Sequence, residues 1–335
     1  MMVATPAVEA KEMMRALVQE GDGSADVLHL RQIERPVVAE GRVLVRVRAA
    51  SVNALDWHSV HGGLIIRAAS TLMRQKVEPV RGVDLAGIVE AIGPGVRRFV
   101  PGDEVFGNAP ASFAEYALAR EAGLAPKPRN ASFEQAAAVG VAGRTALQGL
   151  RDHAQVKPGQ RVLVNGAGGG VGTFAVQIAK ALGAHVTAVT STRNVELIRS
   201  LGPDEVVDYT KEDFARRGGR YDAIFDLAAN RSLSDLRRVL TPTGILVLVG
   251  ADKRGGMAIF SRIGSAFVRS RILKQRIVFF VAKTTLEDLV VLKELIEAGK
   301  VCPAIDRTFP LSEGVEAVRY VGTGQARAKV VITMD

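Results

Sequence analysis

Cysteine and long apolar runs are scarce in this chain, and each scarcity excludes a class of structure. Cys302 is the only cysteine, which excludes an internal disulfide framework and a zinc lobe built on four cysteines. No uncharged apolar stretch reaches about 18 residues, so a transmembrane helix is not expected. Residues 1–14 lack the apolar core of a signal peptide. We therefore expect a short leader and a protein of a reducing compartment, the cytoplasm.

Positive charge is plentiful, and it is concentrated in one segment. The 335 residues include 44 lysines and arginines against 35 acids, a net charge of +9, and the length suffices for two domains. Between residues 253 and 276 there is no acid, and the seven cations are Lys253, Arg254, Arg262, Arg269, Arg271, Lys274 and Arg276. This basic segment is either a solvated surface helix or a patch that contacts an anionic membrane. Specific binding of nucleic acid is not expected.

The pattern of the chain changes near residue 138. Residues 15–137 contain short β-branched runs broken by glycine and proline, which predict a mostly β, barrel-like domain. From residue 138 strands alternate with helices, which is typical of a parallel sheet covered on both faces. Residues 161–165 are the first such strand, and 277–281 are predicted as the last strand of that sheet. A helix at 286–298 and a terminal strand at 329–334 follow.

A glycine-rich turn is the strongest motif. It follows the strand at 161–165 and precedes a helix whose apolar residues recur at helical spacing. Glycines allow a tight turn and a close backbone approach to a pyrophosphate, which the helix N-terminus attracts. The spacing departs from the usual fingerprint, because Ala167 stands at the first glycine position; a loop without a ligand is the alternative. The candidate cofactor-binding residues of the turn are Gly168, Gly169, Gly170, Val171 and Gly172.

The residues after the second strand of this unit select the cofactor. An acid there binds the ribose 2′-hydroxyl of NADH, whereas a cation accommodates the 2′-phosphate of NADPH. This chain has Ser191 and Arg193 there and no acid before Glu196. A serine hydroxyl and a guanidinium can both bind a phosphate, so the pattern favours NADPH. Alternatively, Ser191 caps the next helix and Arg193 is solvated.

Several segments together resemble a known family. They are residues 50–57 (ASVNALDW), 82–87 (GVDLAG), 137–146 (AAVGVAGRTA), the glycine turn, and 200–209. In this order they resemble the zinc-independent medium-chain dehydrogenases/reductases of the quinone oxidoreductase group, including chloroplast quinone oxidoreductase homologues and alkenal reductases. The resemblance implies an α/β protein with a GroES-like β-rich catalytic domain (13–137 and 283–335) and a Rossmann domain with a doubly wound parallel sheet (138–282). The active site would lie in the cleft between them.

Two departures bear on metal and mechanism. Zinc alcohol dehydrogenases of this superfamily carry Gly-His-Glu where this chain has Gly82-Val83-Asp84, and no cysteine is nearby. His58 and His61 are three residues apart but lack a third ligand, so no metal is expected. A zinc alcohol dehydrogenase would be the alternative. None of the four tyrosines begins the Tyr-x-x-x-Lys pair of short-chain dehydrogenases.

The resemblance also implies roles for single residues. Asn53 would lie near the nicotinamide, where its amide could donate to a substrate oxygen. Asp56 is either a second catalytic residue or a structural acid that caps a helix. The remaining residues expected along the cofactor are Thr145, Tyr209, Val249, Gly250, Phe279, Phe280 and Lys329.

Without a metal to polarise a carbonyl, a reductase suits acceptors that already delocalise negative charge. Quinones and α,β-unsaturated carbonyls do so, and the sequence therefore predicts NADPH-dependent reduction of one of these classes. The alternative is a catalytically weak NADPH-binding protein whose basic surface contacts a membrane or RNA. The family also implies a homodimer that pairs edge strands of the Rossmann sheet.

Overall fold

The computed structural model describes residues 12–21, 23–61, 79–249 and 274–334. The strands of this part are β1 (Met13–Gln19), β2 (Leu28–Glu34), β3 (Arg42–Val52), β4 (Asp84–Ile92), β5 (Glu104–Asn108), β6 (Tyr116–Arg120), β7 (Leu124–Pro126), β8 (Arg161–Asn165), β9 (His185–Thr190), β10 (Glu205–Asp208), β11 (Tyr221–Asp226), β12 (Leu240–Leu248), β13 (Arg276–Phe279), β14 (Ile305–Pro310) and β15 (Lys329–Thr333). The helices are α1 (Ala54–His61), α2 (Phe133–Ala137), α3 (Gly140–Gln148), α4 (Gly170–Ala181), α5 (Val195–Ser200), α6 (Leu233–Arg238), α7 (Leu286–Glu297) and α8 (Gly314–Gly322).

Six parallel strands form one sheet, in the order β10-β9-β8-β11-β12-β13. The order reverses between β8 and β11, which makes this a doubly wound sheet with a switch point at β8. Val162, Leu163 and Val164 in β8 are fully buried, because a central parallel strand is covered on both faces. The strand predicted at 161–165 is confirmed, and β13 confirms the strand predicted to end this sheet.

Seven strands form the second sheet, in the order β14-β15-β3-β4-β5-β7, with β6 also paired to β3. Most of its pairs are antiparallel, and β15 returns from the end of the chain to pair with β3. The β-rich lobe is therefore built from both ends of the described chain, as the GroES-like assignment requires. The boundaries at 137/138 and 282/283 stay a prediction.

The two lobes meet where the chain enters β15. We call residues 327–329 the crossing segment. The N–H of Ala328 donates to the carbonyl of Gly168 at 2.9 Å, and Ala328 forms an isolated parallel bridge with Gly169. Ala328 adopts a left-handed backbone conformation with φ of 55°, which a non-glycine residue rarely does without tertiary constraint. The end of the chain is thus held directly on the glycine turn.

The described residues leave other expectations open. None of their helices is both long and apolar enough to cross a bilayer. Strand β13 is an edge of the six-stranded sheet in the described part of the chain, but subunit pairing stays a prediction. Residues 253–273 of the basic segment lie outside the described residues, so membrane contact through it also stays a prediction.

Candidate active site

The glycine turn joins β8 to α4 at the switch point of the parallel sheet. A Cβ atom on Gly172 would lie 2.7 Å from the Cα of Ala167, and one on Gly168 would lie 2.7 Å from Oγ1 of Thr190. Position 172 therefore requires glycine, because the clash is with backbone, whereas a Cβ at position 168 would have to displace the side chains of Thr190 and Asn194. Gly169 is different, since the nearest atom to its Cβ would be 3.7 Å away. Helix α4 starts at Gly170 and leaves the N–H groups of its first turn without intrahelical acceptors, as a pyrophosphate site needs.

The loop after β9 forms the outer end of this cleft. Ser191 is half-buried, and Arg193 is exposed on a single helical turn at Thr192–Asn194. Tyr209 follows β10, and its N–H donates to the carbonyl of Thr190 at 3.0 Å, which keeps its 45% exposed side chain beside the loop. The structure thus brings Ser191, Arg193 and Tyr209 to one edge of the sheet.

Asp208 is an acid at this edge that the sequence analysis did not consider. It ends β10, in register with Thr190 of β9. Its carboxylate accepts hydrogen bonds from the hydroxyls of Thr192 at 2.6 Å and Thr210 at 2.7 Å, and these bonds lower its pKa. Parallel pairing of β9 with β10 was the feature that could have placed it here. Both carboxylate oxygens are engaged by the protein itself.

A buried polar network forms the inner end of the cleft. The ammonium of Lys329 donates to Oδ1 of Asn53 at 2.6 Å, and Nδ2 of Asn53 donates to Asp84 at 2.9 Å. Nδ2 also faces the carbonyl of Ser51 at 3.4 Å. The Asn53 amide is therefore committed to the protein on its donor side. Donation from Asn53 to a substrate oxygen stays a prediction, and it would compete with the contacts to Asp84 and Ser51.

Lys329 joins this network to the cofactor turn. Its side chain is only 3% exposed, and a Cβ on Gly170 would lie 2.9 Å from Cδ of Lys329. Burial lowers the pKa of the Lys329 ammonium, although the carboxylates of Asp84 and Asp56 oppose that effect. Lys329 thus lies against the turn while its charged end reaches Asn53, and its contact with a cofactor stays a prediction.

Asp84 is the centre of the network, and the sequence analysis missed it. It is fully buried and accepts from Ser51 Oγ at 3.2 Å, from Asn108 Nδ2 at 2.6 Å and from the N–H of Val141 at 2.9 Å. Residues 82–84 were used as evidence about a metal and as part of the family resemblance, without a role for Asp84 itself. A charged residue at the first position of a mostly apolar strand was the available indication that it has buried partners.

Asp56 lies at the start of α1, where its carboxylate accepts from the N–H of Asn53 at 2.7 Å. This contact is that of a helix-capping acid and supports the structural alternative. Burial raises the pKa of Asp56 from 3.8 to about 7, an effect that the Asn53 N–H opposes and the Asp84 charge strengthens. A catalytic role for Asp56 stays a prediction.

The other predicted residues lie in different environments, and their contact with a cofactor stays a prediction. Thr145 is buried on α3, and its hydroxyl donates to the carbonyl of Val141 at 2.7 Å. Val249 follows β12, and its N–H donates to the backbone carbonyl of Asp226 at 3.0 Å. Phe279 is 46% exposed, whereas the ring of Phe280 lies 4.2 Å from that of His153. Gly250 lies outside the described residues.

The described residues do not fit a bound metal. Among them no three His, Cys, Asp or Glu side chains converge as a ligand set would. His58 is exposed, and Cys302 is exposed elsewhere; the side chain of His61 is not described. The oxygens of Asp84 are occupied by N–H and O–H donors.

Comparison with known families agrees with this architecture. Residues 39–129 match the family model described as an alcohol dehydrogenase GroES-like domain, and residues 201–332 match the model described as a zinc-binding dehydrogenase. A chloroplastic quinone oxidoreductase of Triphysaria versicolor is 32% identical, over 96% of this chain and 99% of that protein. The chain belongs to the medium-chain dehydrogenase/reductase family, in its quinone oxidoreductase group.

Other members of the family have a similar sequence identity to this chain. The chloroplastic NADPH-dependent alkenal/one oxidoreductase of Arabidopsis thaliana is 33% identical, over 95% of this chain and 79% of its own length. The solved structure of the quinone oxidoreductase from Coxiella burnetii superposes with a TM-score of 0.84 at 30% identity, covering 97% of this chain and all 100% of that one. The family, the GroES-like lobe and the Rossmann lobe are thereby established, and a nicotinamide cofactor is the one that the family uses.

Proposed function

We propose that this member of the family is an NADPH-dependent reductase that transfers hydride to quinones or α,β-unsaturated carbonyls without a metal. The observation that carries the proposal is the 2.6 Å hydrogen bond from Lys329 to Asn53. It holds a buried cation where the glycine turn, a ready site for a dinucleotide, meets the catalytic lobe. The relatives named as quinone and alkenal/one oxidoreductases support the same reaction class.

NADPH is proposed over NADH because of the charges after β9. Ser191 and Arg193 can hydrogen-bond a 2′-phosphate, and Arg193 adds an exposed positive charge. Asp208, an acid of the neighbouring strand, already accepts from Thr192 and Thr210, so a ribose hydroxyl would have to compete with these protein donors. The glycine turn would hold the pyrophosphate, with Thr145, Val249, Phe279 and Phe280 towards the nicotinamide.

The chain's own residues would orient the acceptor and respond to its developing negative charge. Bound NADPH supplies the hydride from its nicotinamide ring. Lys329 brings a positive charge and spare N–H donors, since it makes one recorded hydrogen bond among the described residues. Asp84 fixes Asn53, and Asn53 fixes the ammonium, so this charge needs little reorganisation during the reaction. The proton that completes the reduction would come from solvent.

Steady-state turnover tests the proposal. Purified protein is mixed with NADPH or NADH and a panel of quinones and enones, and loss of the reduced cofactor is followed by absorbance. We expect turnover with NADPH, and Arg193→Ala should raise KM for NADPH by about tenfold while leaving NADH nearly unchanged, because one charge-assisted contact is lost. Arg319→Ala is the control, since Arg319 pairs with Asp26 and Glu316.

Two results would contradict the proposal. Equal rates with NADPH and NADH would contradict the proposal that Ser191 and Arg193 select NADPH. No turnover with any acceptor would favour the alternative of a binding protein with a basic surface. Nothing in the described residues favours that alternative at present, because only residues 274–276 of its basic segment are described.

A further inference from the structure

A second arginine reaches the outer end of the cleft from the opposite lobe. Arg327 belongs to the crossing segment, and its Nη1 lies 3.3 Å from the carbonyl oxygen of Arg193, to which it donates. The two residues are 134 positions apart in the chain. The side chain of Arg327 is 48% exposed, so the guanidinium bridges the lobes at the surface without being buried.

The backbone of Arg327 is fixed on both sides. Its own N–H donates to Asp306 at 2.8 Å, and the next residue, Ala328, is bonded to Gly168. Asp306 also lies 3.7 Å from Nε of Arg327, and it is itself held by the hydroxyl of Tyr320 at 2.7 Å. These contacts aim the guanidinium at the loop after β9. A side chain positioned in this way loses less conformational entropy when it binds a ligand than a free surface arginine would.

The positive charges of Arg193 and Arg327 favour the binding of an anion between them. Among the described residues, the side chain of Arg193 has no ion pair and no hydrogen bond. Its backbone carbonyl accepts from the guanidinium of Arg327, which places a second cation beside it. Asp306 offsets part of the charge of Arg327, while Asp208 is engaged by Thr192 and Thr210 and lies 3.7 Å from Lys211. The side chain of Arg327 makes one hydrogen bond within the described part of the chain, so most of its five N–H donors remain available to bind an anion.

The end of the second strand of a Rossmann unit is where the adenosine ribose binds. We propose that Arg327 is a specificity-determining residue that clamps the 2′-phosphate of NADPH against Ser191 and Arg193 from the opposite lobe. The phosphate then contacts cations from both lobes, so its binding also holds the lobes together. This inference rests on the proposed NADPH dependence and adds a residue that the sequence motif does not contain.

The test separates the contribution of the 2′-phosphate to binding from that of the rest of the cofactor. Dissociation constants for NADPH, NADH, 2′,5′-ADP and 5′-AMP are measured by calorimetry on the wild-type chain and on Arg327→Ala, Arg327→Gln and Arg319→Ala. We expect Arg327→Ala to raise the dissociation constants of NADPH and 2′,5′-ADP about tenfold. Those of NADH and 5′-AMP should change less than about twofold. Thermal unfolding of each variant checks that the exposed substitution leaves the fold intact.

The glutamine variant distinguishes charge from loop support. Glutamine keeps an N–H donor on a shorter side chain but has no charge, so it should lose the 2′-phosphate preference as fully as alanine does. A wild-type-like glutamine variant would overturn the proposal, because only the carbonyl contact would then matter. Equal weakening of NADPH and NADH would overturn it as well, since Arg327 would merely support the turn.

Failure of the proposed function has a different outcome. If the wild-type chain binds NADPH no better than NADH, the NADPH assignment falls and the clamp falls with it. If the wild-type chain prefers NADPH and Arg327→Ala keeps that preference, only the clamp is wrong. Arg319→Ala should match the wild-type chain in every titration, because its guanidinium lies in a separate cluster with Asp26 and Glu316.

Discussion

The two ends of the cleft use the same kinds of side chain in opposite environments. At the inner end, Asn53, Asp84 and Lys329 are almost completely removed from solvent and hydrogen-bonded to one another. At the outer end, Arg193 and Arg327 are exposed, and Arg327 contacts the carbonyl of Arg193 and the carboxylate of Asp306. A buried charge must have partners, whereas an exposed one is solvated by water.

This difference separates two kinds of specificity. The inner end is organised before any ligand binds, since Ser51, Asn53 and Asn108 already donate to Asp84 in a low-dielectric site. The outer end is an open set of cations whose interaction with a phosphate is screened by salt. Substitutions at the inner end should therefore change stability and pH dependence, while those at the outer end should change cofactor affinity alone.

The largest expected effect is that of removing Asp84. Asp84→Ala would leave donors of Asn53, Ser51, Asn108 and Val141 without an acceptor, together with a buried lysine charge. We expect the free energy of unfolding to fall by about 3 kcal/mol or more. Urea denaturation measures it, with Asp84→Asn as a milder variant. Arg193→Ala is the outer-end control, and an equal loss in both would contradict the comparison.

A smaller effect is expected from adding one methyl group at the inner end and one in the glycine turn. A Cβ on Gly140 would overlap with the Asp84 carboxylate, whereas one on Gly169 would meet nothing closer than 3.7 Å. Gly140→Ala should cost about 2 kcal/mol through overpacking, and Gly169→Ala less than about 1 kcal/mol. Thermal unfolding compares the two. Equal melting temperatures would mean that the inner end is not tightly packed around Asp84.

The last effect is the smallest when it is taken per pH unit, and it concerns Asp56. The folded state holds the proton of Asp56 up to a pKa of about 7, whereas the unfolded state releases it near 3.8. Asp56 therefore makes the free energy of unfolding decrease as pH rises from about 4 to 7, by at most about 1.4 kcal/mol per pH unit. Denaturation at pH 5 and pH 7 should show this slope in the wild-type chain and a reduced slope in Asp56→Asn. The same slope in both would show that Asp56 is not desolvated.

Much of the Rossmann lobe could be predicted because its determinants are local. The apolar run at 161–165 and the glycines after it specify a buried strand and a tight turn within a dozen residues. The helix at 286–298 ends with Gly299 in a left-handed conformation, φ 68°, again a local feature. In the candidate site, Ser191, Arg193 and the glycines were found for the same reason.

The residues that were missed depend on distant partners. Asp84 became interpretable only when α3 placed the N–H of Val141, 57 positions away, against its carboxylate. Arg327 carried no motif at all, and its neighbour Arg193 comes from another lobe. The partners of the Asn53 amide could not be predicted either, because its oxygen accepts from Lys329, 276 positions later.

The sequence by itself determined the order of strands and helices, the glycine turn and the cations that follow β9, since each depends on residues adjacent in the chain. Only the tertiary structure decided which polar groups face one another. The crossing segment returns the end of the chain to the turn and sets Lys329 at one end of the cleft and Arg327 at the other. Contacts of this kind depend on how two separately built sheets pack, and no local pattern encodes that geometry.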